Sequence, residues 1–198
     1  MNFKELRVGF ACTGSFCTFG KVFPAMEATV KQFGEVIPIL SEYSAATDTR
    51  FGKASDFAAE MERICGHPPL TTITGVEPIG PQKLLDVLVI APCTGNTLGK
   101  MAAGITDSAV TMAAKAHLRN GRPVLLAIST NDGLSVSMRN LGDLNCRKNI
   151  YLVPFRQDNP IQKPNSLVAD MHQIPAAIEA AMEQRQLQPV LLGAEVPF

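Results

Sequence analysis

Asp86-Val87-Leu88-Val89-Ile90-Ala91, followed by Pro92-Cys93-Thr94-Gly95-Asn96-Thr97, is the stretch on which the fold turns. Its first half is apolar without alternation, the pattern of a strand covered by helices on both faces. Its second half consists of small and hydroxyl residues, which suit a strand-to-helix turn. A strand of this kind belongs at the centre of a parallel sheet, and its neighbours follow from the same reading.

Upstream, Leu6-Arg7-Val8-Gly9-Phe10-Ala11 reads as a first strand, and Val22, Phe23, Met26, Val30 and Phe33 form a stripe at helical spacing. Val36 to Leu40 is a second strand, which Pro38 places near an edge or bulge. Phe57, Met61, Ile64 and Cys65 mark the buried face of a helix that Gly66 ends. Residues 71–74 are expected to form a short third strand, followed by a Gly/Pro turn from Pro78 to Pro81. Downstream, Asp107 is expected to cap a helix running to about Asn120. A strand Val124 to Ile128, a helix from about Leu134, a strand Tyr151 to Val153 and a final helix opened by Pro175 follow. The polar segment Arg156 to Ser166 is expected to be a loop acting as a lid. Such β/α alternation implies an α/β fold, a three-layer α/β/α Rossmann-like, doubly wound and mostly parallel sheet.

The chain has 198 residues, 46% of them hydrophobic. That length suits one domain spanning 1–198 and burying roughly 70% of its unfolded surface. Eighteen basic residues balance eighteen acidic ones, and no Lys/Arg block occurs, so the footprint of a nucleic-acid binder is missing. The longest apolar runs are strand-length, so no membrane span is expected. The start lacks the pattern of a signal peptide, and the expected location is cytoplasmic. Five cysteines without CxxC spacing argue for reduced thiols and no metal site.

In an open parallel sheet, ligands bind at the carboxyl ends of the strands where strand order reverses. Four loops there should converge: Thr13-Gly14-Ser15 after Cys12, Ser41 to Ser44, Pro92 to Thr97, and Ser129-Thr130-Asn131-Asp132-Gly133. Thr13, Gly14 and Ser15 precede a helix, whose first N–H groups attract anions, and with Ser41 and Ser44 they form a candidate phosphate pocket. An ordinary glycine-containing turn reads the same way. Ser15-Phe16 replaces the Lys-Ser/Thr of a P-loop, and Gly9, Ala11 and Gly14 do not make GxGxxG. Asn96, Thr97 and Asn131 offer donors and acceptors to a heteroaromatic ring or a carboxylate, although Asn96 and Thr97 would also suit helix capping. Cys12, Cys17 and Cys93 read as packing residues, and His67, His117 and His172 are scattered.

The sequence resembles the flavoprotein family that includes the homo-oligomeric flavin-containing cysteine decarboxylases. The resemblance lies in Thr13-Gly14-Ser15, in Pro92-Cys93-Thr94-Gly95-Asn96-Thr97 with Leu98-Gly99-Lys100, in Gly104-Ile105-Thr106-Asp107, and in Ile128 to Leu134, where Asn131 is kept. It implies an FMN site built from these loops, with Pro92, Cys93, Thr94, Ser129 and Thr130 among its walls, and a homo-oligomer built on trimers. The decarboxylases carry an essential histidine eight positions before the Asp that opens the central strand, and here that position is Pro78. Proline neither gives nor takes a proton, so their acid/base role does not carry over.

Pro78-Ile79-Gly80-Pro81, Leu84 to Thr97, Ile128 to Gly133, and Val153-Pro154-Phe155 through Val168 look like one branch of that family. In that branch the chain is the B subunit of a two-subunit oxidoreductase of the mother cell in sporulating bacteria. Its A subunit carries an NAD(P) site, and the substrate is a small planar dicarboxylate, for which Asn96, Asn131, Arg156 and Lys163 are candidate contacts. The resemblance leaves catalytic residues open. It also leaves two alternatives, an FMN-dependent decarboxylase and a non-catalytic scaffold for the A subunit.

Overall fold

The computed structural model describes residues 3–193. After a 3-10 turn at Phe3–Glu5, the chain forms β1 (Arg7–Cys12), a second 3-10 turn (Phe16–Thr18) that runs into α1 (Phe19–Gln32), β2 (Glu35–Leu40), α2 (Glu42–Ala46) and α3 (Ala54–Cys65). Then come α4 (Ile73–Val76), a 3-10 turn (Glu77–Ile79), β3 (Val87–Cys93), α5 (Gly95–Ala102), α6 (Ala109–Leu118), β4 (Val124–Thr130) and α7 (Val136–Asn145). The chain finishes with β5 (Ile150–Leu152), β6 (Phe155–Asn159), β7 (Lys163–Ala169) and α8 (Ile174–Met182).

The seven strands make one sheet in the order β2-β1-β3-β4-β7-β6, with β5 also paired to β4. β2, β1, β3, β4 and β5 run parallel. All seven residues of β3 are buried, which explains its unbroken apolar sequence. α1 packs against α3 and α8 on one face, while α4, α5, α6 and α7 contact one another on the other. The expected three-layer, mostly parallel architecture is therefore present. Pro38 lies in β2, the edge strand, where a missing N–H does least harm. Gly66 ends α3 with φ +85°, a left-handed conformation that a side chain disfavours.

Three expectations need correction. Residues 71–74 are not a strand: only Leu70 bridges to β2, and Thr72 then caps α4 by accepting a hydrogen bond from the Gly75 N–H at 3.0 Å. Asp107 does not cap α6. Ser108 does, in a reciprocal capping box with Thr111, while Asp107 ion-pairs with Lys100 at 2.8 Å. The segment Arg156 to Ser166 is not a loop but the β6–β7 hairpin, whose second strand pairs antiparallel with Ser129 and Thr130 of β4. Its apolar residues are few because much of it is half-solvated, yet its backbone is satisfied by pairing.

Candidate functional site

Strand order reverses between β1 and β3, and the loops leaving these two strands are tied together there. The Thr13 hydroxyl donates to the Pro92 carbonyl at 2.6 Å and accepts from the Thr94 N–H at 3.2 Å. Thr94 in turn caps α5, its hydroxyl accepting from the Thr97 N–H at 3.3 Å. Above this junction opens a cleft of about 730 Å³. Loops after β1, β3 and β4 and the β6–β7 hairpin wall it, together with the turn at Thr49–Gly52.

Of the residues named from sequence, Gly14, Ser15, Thr94, Asn96, Ser129, Thr130, Asn131 and Lys163 line this cleft. Thr13, Pro92, Cys93 and Thr97 stand behind its wall, buried. Burial pushes the Cys93 thiol far above the usual range, as expected of a packing residue. Ser41 and Ser44 do not face the cleft. Ser41 caps α2, and its hydroxyl donates to that of Ser44 at 2.9 Å, so both are consumed in holding their own turn. Arg156 does not line it either. It is 17% exposed and ion-paired with Asp170 at 3.4 Å near the base of the hairpin, whereas Lys163 stands beside the hairpin's turn. Lys163 pairs with Asp158 at 2.6 Å, which holds its ammonium above the usual lysine range.

One part of the cleft is a triangle of hydroxyls. Ser15 Oγ lies 2.9 Å from both Thr18 Oγ1 and Ser129 Oγ, and those two are 2.7 Å apart. The triangle sits where the Phe16–Thr18 turn opens into α1. Lys21 and Arg50 also line the cleft, and neither has a carboxylate partner among the described residues. The Arg50 guanidinium stacks 4.8 Å from the centre of the half-exposed Phe51 ring, an arrangement that also offers a flat surface to a heteroaromatic ligand.

The opposite part is an amide and carboxylate edge. Asn96, exposed in the first turn of α5, and Asn131, exposed just after β4, line this edge, and Asp132 lines it too. Asp132 Oδ1 accepts from the hydroxyls of Thr130 and, at 2.9 Å, Ser137. A side chain at Gly95 would collide with all three, its Cβ falling 2.6–2.7 Å from Ser137 Oγ, Asp132 Oδ1 and Thr130 Oγ1. The hydroxyls, cations and amides suit a phosphorylated heteroaromatic such as FMN, and the cleft is within the size range of ligand sites. No cluster of three metal-ligating side chains occurs among the described residues.

Thr18, Lys21, Arg50 and Asp132 were not singled out by sequence reasoning. Thr18 stands three residues after Ser15, one turn along the helix start, and Asp132 directly follows Asn131, so both were within reach of a closer reading. Nothing local marks Arg50, which a long excursion after β2 brings in.

An open parallel sheet with such a cleft at its switch point is the frame of a nucleotide-type cofactor protein. The sequence matches the Flavoprotein family over residues 2–181, and the chain belongs to that family. Within it, the chain is 46% identical over 191 residues, 96% of either chain, to the B subunit of dipicolinate synthase from Bacillus subtilis (strain 168). The crystal structure of the dipicolinate synthase B subunit from Bacillus halodurans matches with a TM-score of 0.89 and 47% identity, covering 98% of this chain and 99% of that one. An FMN-dependent cysteine decarboxylase, SpaF, shares the fold with a TM-score of 0.63 at 22% identity, over 93% of this chain and 98% of its own.

Proposed function

We propose that the chain is the B subunit of a dipicolinate synthase, working with the A subunit of that enzyme to oxidise dihydrodipicolinate to dipicolinate (pyridine-2,6-dicarboxylate) during sporulation. Near full-length similarity to two such B subunits carries this reading. The cleft supports it. Its lining holds three cations, Lys21, Arg50 and Lys163, against two carboxylates, Asp132 and Asp158, which favours anionic ligands.

In this reading FMN's phosphate would lie against Gly14, the Ser15–Thr18–Ser129 hydroxyls, Lys21 and Arg50. Asn96, Asn131 and the Thr94 turn would meet its ring. Bound flavin would supply a two-electron carrier, and the nicotinamide belongs to the A subunit. The chain's own residues bind and orient: Lys163, swung from the hairpin, gives a point charge to one substrate carboxylate, and the amides of Asn96 and Asn131 donate to the other. The β6–β7 hairpin limits access of water. Dimers or trimers would use the exposed apolar residues Val136, Met138 and Leu134 at the start of α7, and we favour a trimer-based assembly.

The flavin-dependent decarboxylase is the less favoured reading, because no histidine lines the cleft among the described residues and Pro78 sits in the Glu77–Ile79 turn outside it. The decisive assay follows dihydrodipicolinate oxidation with the A subunit alone, this chain alone and both together. Oxidation that needs both proteins, with this chain showing flavin absorbance when purified, is the expected outcome. Full activity from the A subunit alone would refute a catalytic role for this chain, and a colourless protein that merely raises the thermal stability of its partner would favour the scaffold.

A further inference from the structure

The cleft contains a carboxylate that anion binding does not call for. Of the two acids lining it, Asp158 is neutralised by Lys163 at 2.6 Å, whereas Asp132 has no cationic partner among the described residues. Asp132 is nevertheless held in place. Its Oδ1 accepts from Thr130 Oγ1 and Ser137 Oγ, and the absence of a side chain at Gly95 lets these groups press against the start of α5. Its Oδ2 has no hydrogen-bond partner among the described residues. One oxygen is therefore clamped and the other is free, in a cleft whose ligand, on the reading above, is itself a dicarboxylate. An unpaired carboxylate repels such a ligand unless it takes a proton from it.

We propose that Asp132 is the proton acceptor of the reaction, a catalytic residue acting through Oδ2. The inference rests on the oxidation put forward above. A dihydropyridine becomes aromatic by losing a hydride from one sp3 ring carbon and a proton from its neighbour. As the neighbour's C–H bond breaks, its electron pair becomes the new ring C=C bond and the proton bonds to Asp132. The hydride's two electrons would end on an oxidised nicotinamide supplied by the A subunit, and the proton leaves Asp132 for solvent through the open cleft. Without a hydride acceptor, proton removal alone is reversible, because the pair delocalises into the conjugated imine, and it exchanges ring hydrogen with solvent.

The experiment incubates this chain alone with dihydrodipicolinate in D2O and follows deuterium entry at the ring carbons by NMR. Wild type is expected to exchange faster than buffer, and Asp132→Asn to lose about 100-fold or more of that rate, the usual contribution of a positioned base. Asn keeps an oxygen to accept from Thr130 and Ser137 and removes the carboxylate's repulsion, so dipicolinate, which has no such proton, should bind the variant at least as tightly as wild type, as measured by calorimetry. Ser137→Ala, which loosens the carboxylate without removing it, should exchange at an intermediate rate. Unchanged exchange in Asp132→Asn overturns the proposal, as does parallel loss of exchange and dipicolinate binding, which would mean a structural role. If wild type does not exchange yet oxidises substrate with the A subunit present, Asp132 is not the base although the reaction stands. If wild type does neither, the proposed reaction falls and this inference with it.

Discussion

His117 should make the stability of this protein fall steeply between pH 6.5 and pH 4. It lies on the buried face of α6, 1% exposed, and its Nε2 has no hydrogen-bond partner among the described residues. Burial, and secondarily the positive charge of Arg122, lower its pKa from 6.5 to about 4, while Asp86 and backbone contacts act weakly the other way. Within that window the unfolded chain holds a proton on this side chain that the native chain refuses. The contribution of this group is therefore at its full value above pH 6.5, is lost progressively as pH falls, and levels off once pH has passed below about 4. The gap from 6.5 to about 4, at about 1.36 kcal/mol per pH unit, corresponds to about 3 kcal/mol. That is a large share of a typical domain's 5–15 kcal/mol, taken as an order of magnitude. The perturbation is His117→Leu, which cannot titrate and fills a similar space. Urea unfolding of both proteins across pH 4–7.5 cancels the titrations they share, and the difference in their unfolding free energies should change by about 3 kcal/mol. Curves that stay parallel across the window would show that His117 is protonated in the native state or finds a partner on charging, and would refute the reasoning.

Gly95→Ala should cost about 1–3 kcal/mol of stability, since its Cβ overlaps Thr130, Asp132 and Ser137 at 2.6–2.7 Å, and it should weaken dipicolinate binding; a melting temperature within a degree of wild type counts against this packing. Lys163→Ala should raise the apparent KM for dihydrodipicolinate about tenfold, corresponding to roughly 1.4 kcal/mol, with little change in melting temperature. Arg156→Ala should lower the melting temperature with little change in KM, because Asp170 loses its ion pair with Arg156 away from the cleft; equal KM effects in the two variants would restore a shared role in substrate binding. Iodoacetamide should label exposed Cys17 and Cys146 well before buried Cys12 and Cys93, whose thiols burial pushes above the usual range, and FMN should slow labelling of Cys17 alone, as peptide mass spectrometry would show.

The central part of the fold was legible because its signals are about burial. Val87 to Ala91 can be apolar throughout only if both faces are covered, and that condition, with β/α alternation, leaves few topologies. What failed was read from composition where pairing decides. The hairpin of Arg156 to Ser166 contains two prolines and few apolar residues, yet its backbone is satisfied by β4 on one side and by its own two strands. The short run 71–74 has β-branched residues, but Thr72 has a Gly75 N–H within reach and a local cap forms in place of a ladder.

The cleft was legible in place, its lining only in part by residue, and the reason is chemical. Ser and Thr serve equally as helix caps and as ligand donors, and in loops that join strands to helices the first use competes with the second. Ser41, Thr94 and Ser108 are caps, and Ser44, Thr97 and Thr111 are their partners three residues on. Ser15 precedes a helix too, yet its side chain makes no cap. It turns instead across the sheet to Ser129, 114 positions away, with Thr18 completing the triangle. A hydroxyl followed by a hydroxyl three residues later thus reads as a cap by default, and Ser15-x-x-Thr18 departs from that default only because β4 places a third hydroxyl above it. Removing that third group separates the two uses. Ser129→Ala should leave Ser15 free to cap its own helix, keeping the fold near its wild-type stability while phosphate or FMN affinity falls about tenfold, the loss of one hydrogen bond to a charged group of roughly 1.5 kcal/mol. Calorimetric titration with FMN checks the affinity, and wild-type affinity in Ser129→Ala would mean that the triangle is a structural tie between β1 and β4 and not a ligand cradle.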